Sequence, residues 1–315
     1  MMYDLVIVGG GPGGAAAGVY AARKKMKVAL ITESFGGQSV VSAGIENWIG
    51  TKSVSGLDFA KMLEEHLRAQ EDIDLLQPDL VEKVEKAKNG FTISTKEGKK
   101  LETKTILVTT GSSRKKLGVP GEKELDAKGV SYCSTCDAPI FKNKVVAVIG
   151  GGNAGLEAVV DLLAYATKVY LLEYGDKLKG DPITQEKIEK DKKVEIILNA
   201  QTTKILGDKF VAGFKYKDLK SGQEKELKLD GIFVEIGAVP NISFVKDLVK
   251  LSAYGEIAVD HKTQQTSQPG IWAAGDSSDV LYKQNNISAG DAVKAVLNIY
   301  ETLNKEGGTR GGYTK

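Results

Sequence analysis

The chain has 315 residues, of which 42% are hydrophobic and 27% are charged, and its formal net charge is +2. These values describe a globular protein of more than one domain, and the balanced charge does not call for nucleic acid as a partner. No apolar run approaches the roughly 18 residues that span a bilayer, so we expect no membrane segment. The N-terminus enters an apolar strand without the pattern of a signal peptide, which favours a cytoplasmic location.

The first segment follows the order strand, glycine turn, helix, strand. Residues 5–8 and 28–31 are apolar runs typical of buried strands, and residues 15–25 are alanine-rich and helical in pattern. A G-x-G-x-x-G fingerprint occupies residues 9–14, and Glu33 follows the second strand. This combination is typical of dinucleotide binding, because the helix N-terminus accommodates a pyrophosphate and the acid accepts hydrogen bonds from a ribose.

The same plan recurs in the middle of the chain. A strand at 145–149 is followed by a glycine loop at 150–155, a helix at 156–164 and a strand at 168–172 that ends in Glu173. A lone glycine fingerprint is weak support for a nucleotide site, but two copies with matching acids are much stronger. The repeat therefore predicts two nucleotide-binding domains of one design.

The remaining elements are predicted from shorter patterns. Residues 112–121 are a candidate linker, a second linker follows Pro240, and the glycine-rich tail from Glu306 is expected to fray. Apolar and alternating runs predict additional elements: strands at 91–94, 105–111, 194–198 and 231–237, a lysine- and glutamate-rich pair of strands up to 228, and helices at 56–70 and 290–303.

The only cysteines, Cys133 and Cys136, form a C-x-x-C motif between the two glycine loops, with Asp137 directly after them. A zinc site would need two further ligands, and the only histidines, His66 and His261, are remote in sequence. A structural disulfide across so short a loop would add little stability. Redox exchange is therefore the favoured interpretation. Asp137 is the candidate proton donor or acceptor, with a helix cap as the alternative role.

Glu173 also bears on the choice of nucleotide. A carboxylate at this position repels the 2′-phosphate of NADPH, which is usually bound by arginine. The segment 173–179 contains no arginine, and its cations are Lys177 and Lys179. The sequence therefore favours NADH over NADPH.

Taken together, these motifs resemble the low-molecular-weight thioredoxin reductases over nearly the whole chain. They look closer still to the reductase portion of the alkyl hydroperoxide reductase flavoprotein. The stretches that carry the resemblance keep the order and approximate spacing of the family: residues 35–38, 45–48, 109–111, 133–137, 150–153, 274–276 and 282–284.

The resemblance implies an α/β fold of two Rossmann-like, three-layer ββα domains, the second inserted into the first. An FAD-binding domain would comprise residues 1–113 and 245–315, and a nicotinamide domain carrying the C-x-x-C would comprise residues 114–244. The implied FAD site consists of Gly9, Gly11, Pro12, Gly14, Glu33, Gly37, Gln38, Asn47, Gly111, Asp276, Lys283 and Gln284. The implied NAD(P)H site consists of Gly150, Gly152, Asn153, Gly155 and Glu173.

The resemblance also implies an activity, that of an FAD-dependent disulfide reductase. In such enzymes hydride passes from the nicotinamide to the flavin, and the reduced flavin opens the disulfide. Cys136 would face the flavin, and Cys133 would exchange with a thioredoxin- or glutaredoxin-like protein. The family further implies a homodimer and a rotation of the domains between flavin-reducing and thiol-exposing states.

Three departures from the family pattern matter. The arginine-bearing signature of NADPH-using members is replaced at residues 173–176, and Lys283 stands where an arginine is usual. The thioredoxin-like domains of the peroxide-reductase relatives do not precede the first glycine loop, so a separate redoxin is expected to receive the electrons.

Three alternatives to this activity stay open. They are a ferredoxin or flavodoxin reductase, a thioredoxin reductase fed by ferredoxin or reduced flavin, and a non-enzymatic redox sensor. The intact cysteine pair argues against the first, and the complete 150–155 loop with Glu173 argues against the second.

Overall fold

The computed structural model describes residues 2–42 and 44–306. The tail predicted to fray lies, beyond Glu306, outside the described residues. Contacts divide the chain into two compact units. Unit 1 comprises Met1–Val41, Asn47–Ser113 and Val239–Lys315, and unit 2 comprises Ser42–Glu46 and Arg114–Ala238.

The elements are numbered in chain order. The helices are α1 Pro12–Arg23, α2 Gly56–Arg68, α3 Ser134–Asp137, α4 Asn153–Leu163, α5 Pro182–Glu189 and α6 Asn285–Glu306, with short 3-10 helices at Gly37–Val41, Ala138–Phe141 and Gly275–Ser277. The strands are β1 Met2–Gly10, β2 Val28–Phe35, β3 Ile73–Leu76, β4 Val81–Ala87, β5 Gly90–Thr95, β6 Lys100–Val108, β7 Ser112–Arg114, β8 Val130–Ser131, β9 Val145–Ile149, β10 Lys168–Leu172, β11 Val194–Ile197, β12 Ala200–Gly207, β13 Val211–Asp218, β14 Glu224–Lys228, β15 Gly231–Val234, β16 Ala238–Pro240, β17 Val259–Asp260, β18 Gln265–Thr266 and β19 Ile271–Ala273.

Unit 1 is built on one sheet with the strand order β17-β18-β19-β6-β1-β2-β3, to which the antiparallel pair β4–β5 is joined through β6. Strands β19, β6, β1, β2 and β3 are parallel. Their carboxyl ends therefore meet at one edge of the sheet, where ligands bind in folds of this class.

The two faces of this sheet have separate cores because side chains alternate along a strand. On one face, Leu5 and Ile7 pack with residues of α1 and α6 such as Ala17 and Val296. On the other, Val6 and Val8 pack against β4–β5 and the segment after β16. The unit is therefore a helix layer, a sheet and a smaller β layer.

Unit 2 repeats this plan on a smaller scale. Its parallel sheet has the order β11-β10-β9-β15-β8. Val146 and Val148 pack with α4 on one face. Ala147 and Ile149 face the antiparallel sheet β12-β13-β14 on the other. The predicted fold class, with two Rossmann-like ββα units and the second inserted into the first, is confirmed.

Several predicted bounds differ from the structure for local reasons. Helix α1 begins at Pro12 rather than residue 15, because proline suits the first helical position, where no N–H is required. The second crossing between the units falls at Ala238/Val239 rather than after 244. Ile242 and Phe244 pack in the core of unit 1, and the Val84 N–H donates to the Phe244 carbonyl (3.2 Å). The assignment of these units to FAD and to the nicotinamide remains a prediction.

No helix of the described residues is both long and apolar enough to cross a membrane.

Candidate active site

The first glycine loop is shaped by two close backbone contacts. Gly9 has φ +114°, and a Cβ there would lie 2.5 Å from the Thr109 carbonyl oxygen. A Cβ at Gly14 would overlap the Gly9 carbonyl oxygen, so only glycine at this position lets α1 pack this closely against the end of β1. A Cβ at Gly11 would meet no other atom within 4 Å. Gly11 therefore leaves room for a ligand, whereas the other two glycines allow the turn itself.

The second loop has the same geometry in unit 2. Gly150 has φ +124°, and its Cβ would overlap the Glu235 carbonyl oxygen. A Cβ at Gly155 would overlap the Gly150 carbonyl, and one at Gly152 would meet nothing within 4 Å. Both loops precede a helix whose first N–H groups have no intrahelical acceptors, which makes each a ready site for phosphate.

A cavity of about 650 Å³ lies at the carboxyl edge of the unit 1 sheet. Eight of the twelve predicted FAD residues line it: Gly9, Gly11, Pro12, Glu33, Gly37, Gln38, Gly111 and Asp276. The cavity also contains residues that sequence reasoning missed, among them Lys96, Asn285 and Ser288. Asn285 begins α6 and accepts a hydrogen bond from the Ser39 hydroxyl (3.0 Å). Its position at a helix start after the 282–284 segment was the available signal.

The other four predicted FAD residues do not line the cavity. Gly14 is a packing position, as described above. Asn47 and Gln284 are joined to each other by a 3.3 Å hydrogen bond between their side-chain amides. Lys283 donates to the Ser278 carbonyl (2.7 Å) and pairs with Glu256 (2.9 Å). These three side chains are thus held by protein partners in unit 1.

The two acids that follow the loops have different surroundings. Glu33 is exposed and lines the cavity of unit 1. Glu173 is 7% exposed and accepts hydrogen bonds from the N–H groups of Gly151 and Gly175, both at 2.8 Å. Burial raises its pKa, but these two N–H groups and Lys179 (3.3 Å) outweigh burial and leave the pKa below its usual value. Glu173 is therefore ionised, and it also fixes the glycine loop.

Cys133 and Cys136 form a disulfide with a Cα–Cα distance of 5.4 Å. Cys133 is the N-cap of α3, and Cys136 lies within that helix. Both are half-buried. Within residues 2–42 and 44–306, no group of three or more histidine, cysteine and acidic side chains is assembled for a metal. His66 and His261 are exposed residues of unit 1, and His261 lies 3.6 Å from Asp279.

Asp137 is the last residue of α3, and its side chain makes no helix-capping hydrogen bond. One of its oxygens, Oδ2, accepts from the Ser131 hydroxyl (2.6 Å), whereas Oδ1 is buried and has no partner among the described residues. Burial raises the pKa of Asp137 above the usual aspartate range, and the Ser131 hydrogen bond offsets this only in part. The raised pKa and the missing capping hydrogen bond favour a role in proton transfer over a role as a helix cap.

The strand order of unit 2 places its chemical groups in one row. Strands β8, β15, β9 and β10 are neighbours and parallel, so the residues after them lie along one edge. In this order the edge carries the Cys133 segment, Glu235, the Gly150 loop and Glu173. The disulfide and the nucleotide loop therefore lie along the same edge of the unit 2 sheet, separated by the strand that ends before Glu235.

Two glycine loops on parallel sheets, one of them on the same sheet edge as a disulfide, are typical of the nucleotide-dependent disulfide oxidoreductases. The chain matches the model of the pyridine nucleotide-disulphide oxidoreductases over residues 3–294, and it belongs to that family.

Named relatives agree with this assignment. The chain is 42% identical over 301 residues to the alkyl hydroperoxide reductase F protein of Staphylococcus aureus strain MRSA252, a match that covers 96% of the chain and 59% of the relative. The chain thus spans about three fifths of the length of these curated relatives. The crystal structure of thioredoxin reductase from Streptococcus pyogenes MGAS5005 is 32% identical with a TM-score of 0.88. That of T. acidophilum thioredoxin reductase is 39% identical with a TM-score of 0.66. Both alignments cover 96% of this chain and 99% of the other. The chain therefore resembles thioredoxin reductases in sequence and in fold.

This family implies FAD and a nicotinamide cofactor, and the residues present fit both. In the unit 1 cavity, added Cβ atoms at Gly11 and Gly111 would project into space where a ligand could lie. In unit 2 the same holds for Gly152. The cradles expected of dinucleotide sites are thus present in both units.

Proposed function

We propose that the protein is an FAD-dependent, NADH-preferring disulfide reductase that passes electrons through Cys133 and Cys136 to a thioredoxin- or glutaredoxin-like protein. The observation that carries this proposal is the single edge of unit 2 that holds both the nucleotide loop and the disulfide. FAD would lie in the unit 1 cavity, held by the 9–14 loop with Glu33, Gly111 and Asp276. The nicotinamide nucleotide would lie on the 150–155 loop.

When bound, these cofactors supply a hydride source and a two-electron carrier. Opening the Cys133–Cys136 bond takes up two electrons and two protons and leaves two thiols. Asp137, which follows Cys136 in the chain and whose pKa is raised by burial, would donate or accept a proton in this step. Cys133, as a thiolate, would then attack the partner's disulfide and form a mixed disulfide, which Cys136 resolves.

The preference for NADH is supported by the surroundings of Glu173. Its ionised carboxylate would repel a 2′-phosphate. Lys179, one of the two nearby cations, is paired with Glu173 itself, which leaves Lys177 as the remaining lysine of the segment. A homodimer and a cytoplasmic location are further parts of the proposal and rest on the family resemblance and on the thiol chemistry.

The test is the reduction of the purified yellow protein by each nucleotide in a stopped-flow spectrometer, followed by turnover with a redoxin. We expect faster flavin bleaching with NADH than with NADPH at equal concentration, and sustained NADH oxidation only when the redoxin is present. A colourless preparation would contradict the FAD assignment. A single flavin reduction without sustained flux would favour the redox sensor.

A further inference from the structure

Glu235 is an acidic side chain at the centre of the unit 2 edge that the sequence patterns did not single out. It follows β15, and its N–H donates to the Ile149 carbonyl (2.8 Å). Its own carbonyl oxygen lies where a Cβ on Gly150 would project. Thr109 occupies the matching place in unit 1, where its N–H donates to Val8 and its carbonyl closes over Gly9. The two halves of the repeat thus differ here, with a neutral hydroxyl beside one loop and a carboxylate beside the loop next to the disulfide.

Strand β15 pairs with β8 so that Phe233 lies opposite Ser131, and this register, continued by two residues, brings Glu235 to the level of Cys133. It is 8% exposed, and burial is the main cause that raises its pKa from 4.5 to about 7. The Arg114 guanidinium, 3.9 Å away, and the backbone N–H of Ser134 favour the ionised form. Because the Ser134 nitrogen is bonded to the carbonyl carbon of Cys133, this interaction agrees with the strand register in placing Glu235 near the first cysteine of the disulfide.

We propose that Glu235 is a positioning residue of the redox pair: from its place next to Cys133 at the edge of the unit 2 sheet, it disfavours the Cys133 thiolate when it is ionised. A carboxylate near a thiol disfavours the thiolate, because the two negative charges repel each other. Ionisation of Glu235 therefore raises the pKa of the Cys133 thiol, and a Cys133 thiolate raises the pKa of Glu235. The proposal rests on the proposed function, in which Cys133 is the thiol that exchanges with the partner.

Three other charged side chains also influence the pKa of Glu235. Asp161 and Glu157 on α4 act on Glu235 and raise its pKa, whereas Arg114 lowers it. Asp161 also accepts hydrogen bonds from the hydroxyls of Ser134 (2.8 Å) and Thr135 (3.4 Å). With these charges included, the pKa of about 7 means that Glu235 changes its charge near neutrality.

The experiment measures the iodoacetamide alkylation rate of Cys133 in the phosphine-reduced holoprotein, read by peptide mass spectrometry from pH 5.5 to 8.5. Glu235→Gln removes the charge and keeps the size. We expect equal rates for variant and wild type near pH 5.5, where Glu235 is neutral. At pH 8 we expect the variant to react about three- to tenfold faster, as for a thiol pKa lowered by half a unit to one unit. The matched control is Glu226→Gln, an equal charge change on the exposed strand β14.

A rate ratio that is the same at every pH would overturn the proposal, because a purely structural role predicts that result. If Glu235→Gln does not fold, Glu235→Ala takes its place: the same rise in the rate ratio from pH 5.5 to pH 8 is expected, and a constant ratio again contradicts the proposal. A disulfide that resists reduction altogether would instead refute the proposed function, so the two failures are distinguishable.

Discussion

The Ser131 hydroxyl donates a 2.6 Å hydrogen bond to Oδ2 of Asp137, while Oδ1 of the same carboxyl is buried without a partner in the described part of the chain. Ser131 ends β8, and Asp137 ends the helix that carries Cys136, so one hydrogen bond fixes the acid relative to the disulfide. Burial of this carboxyl raises its pKa and so favours the protonated form, and the Ser131 hydrogen bond opposes burial only in part.

Asp137→Asn tests whether the Asp137 carboxyl transfers a proton to or from the cysteine pair. The amide preserves the size of the side chain and an acceptor for Ser131 but has no acidic proton. We expect redoxin turnover to fall by about a hundredfold or more, in the range of general acid catalysis. Flavin reduction by NADH, measured separately by stopped flow, should stay within about twofold, because the side chain takes no part in nucleotide binding in our proposal. Redoxin turnover above half of the wild-type rate would contradict the acid role.

We expect serine substitutions of the two cysteines to block electron transfer to the redoxin at different steps. Cys133→Ser should retain flavin reduction by the nucleotide but lose transfer to the redoxin, because the exchanging thiol is gone. Cys136→Ser should leave Cys133 able to form a mixed disulfide that is not resolved, and this adduct is measurable by mass spectrometry. Unchanged redoxin reduction in Cys133→Ser would remove the thiol pair from the mechanism.

Alanine substitutions in the first loop distinguish a glycine that leaves room for the ligand, Gly11, from one that is needed for packing, Gly14. Gly14→Ala places a Cβ on the Gly9 carbonyl, and overpacking of this kind costs about 1–3 kcal/mol or more. Gly11→Ala meets no protein atom within 4 Å, so we expect an unchanged melting temperature together with a lower FAD content of the purified protein. Gly152→Ala and Gly155→Ala form the matching pair in unit 2, with nucleotide KM as the readout. Equal destabilisation by Gly11→Ala and Gly14→Ala would contradict this division of roles.

The buried carboxyl of Glu235 also predicts a pH-dependent stability. Its folded pKa of about 7 lies above the usual 4.5, so the folded protein binds more protons than the unfolded chain in this interval. The stability from the neutral carboxyl is present below pH 4.5 and is lost as the pH rises to about 7. The full loss is about 3 kcal/mol, because each unit between the unfolded and folded pKa is worth about 1.4 kcal/mol. Glu235→Gln should therefore gain thermal stability relative to the wild type between pH 5 and 7.5, and a constant difference in melting temperature would contradict this.

The sequence predicted the parts of the site that depend on local pattern. Glycine spacing together with apolar runs located both loops, and the alternation of Leu5 and Ile7 with Val6 and Val8 matches the two faces of the sheet. The loops required no long-range information because the strand, the turn and the helix that form each of them are adjacent in the chain.

The parts that the sequence did not predict depend on strand order. Glu235 comes close to Ser134 only because β15 lies between β9 and β8 in the sheet, and no local pattern gives this order. Thr109 faces the first loop for the same reason. The sequence also did not predict that the Glu173 carboxylate accepts hydrogen bonds from two backbone N–H groups. Spacing identifies an acid after a strand, but it does not show which groups that acid binds.

Glu173→Gln tests the choice of nucleotide. A glutamine has one acceptor oxygen in place of two, so it cannot accept from both Gly151 and Gly175, and the loss of one such hydrogen bond costs about 1–3 kcal/mol. It also removes the charge that would repel a 2′-phosphate and releases Lys179 from its ion pair. We expect kcat/KM to fall by about tenfold for NADH, as for the loss of about 1.4 kcal/mol, and to fall less for NADPH. Asp176→Asn is the control, because it removes an exposed charge from the same segment without touching these hydrogen bonds. An equal fall for both nucleotides in Glu173→Gln would limit Glu173 to holding the loop and would remove it as the source of NADH preference.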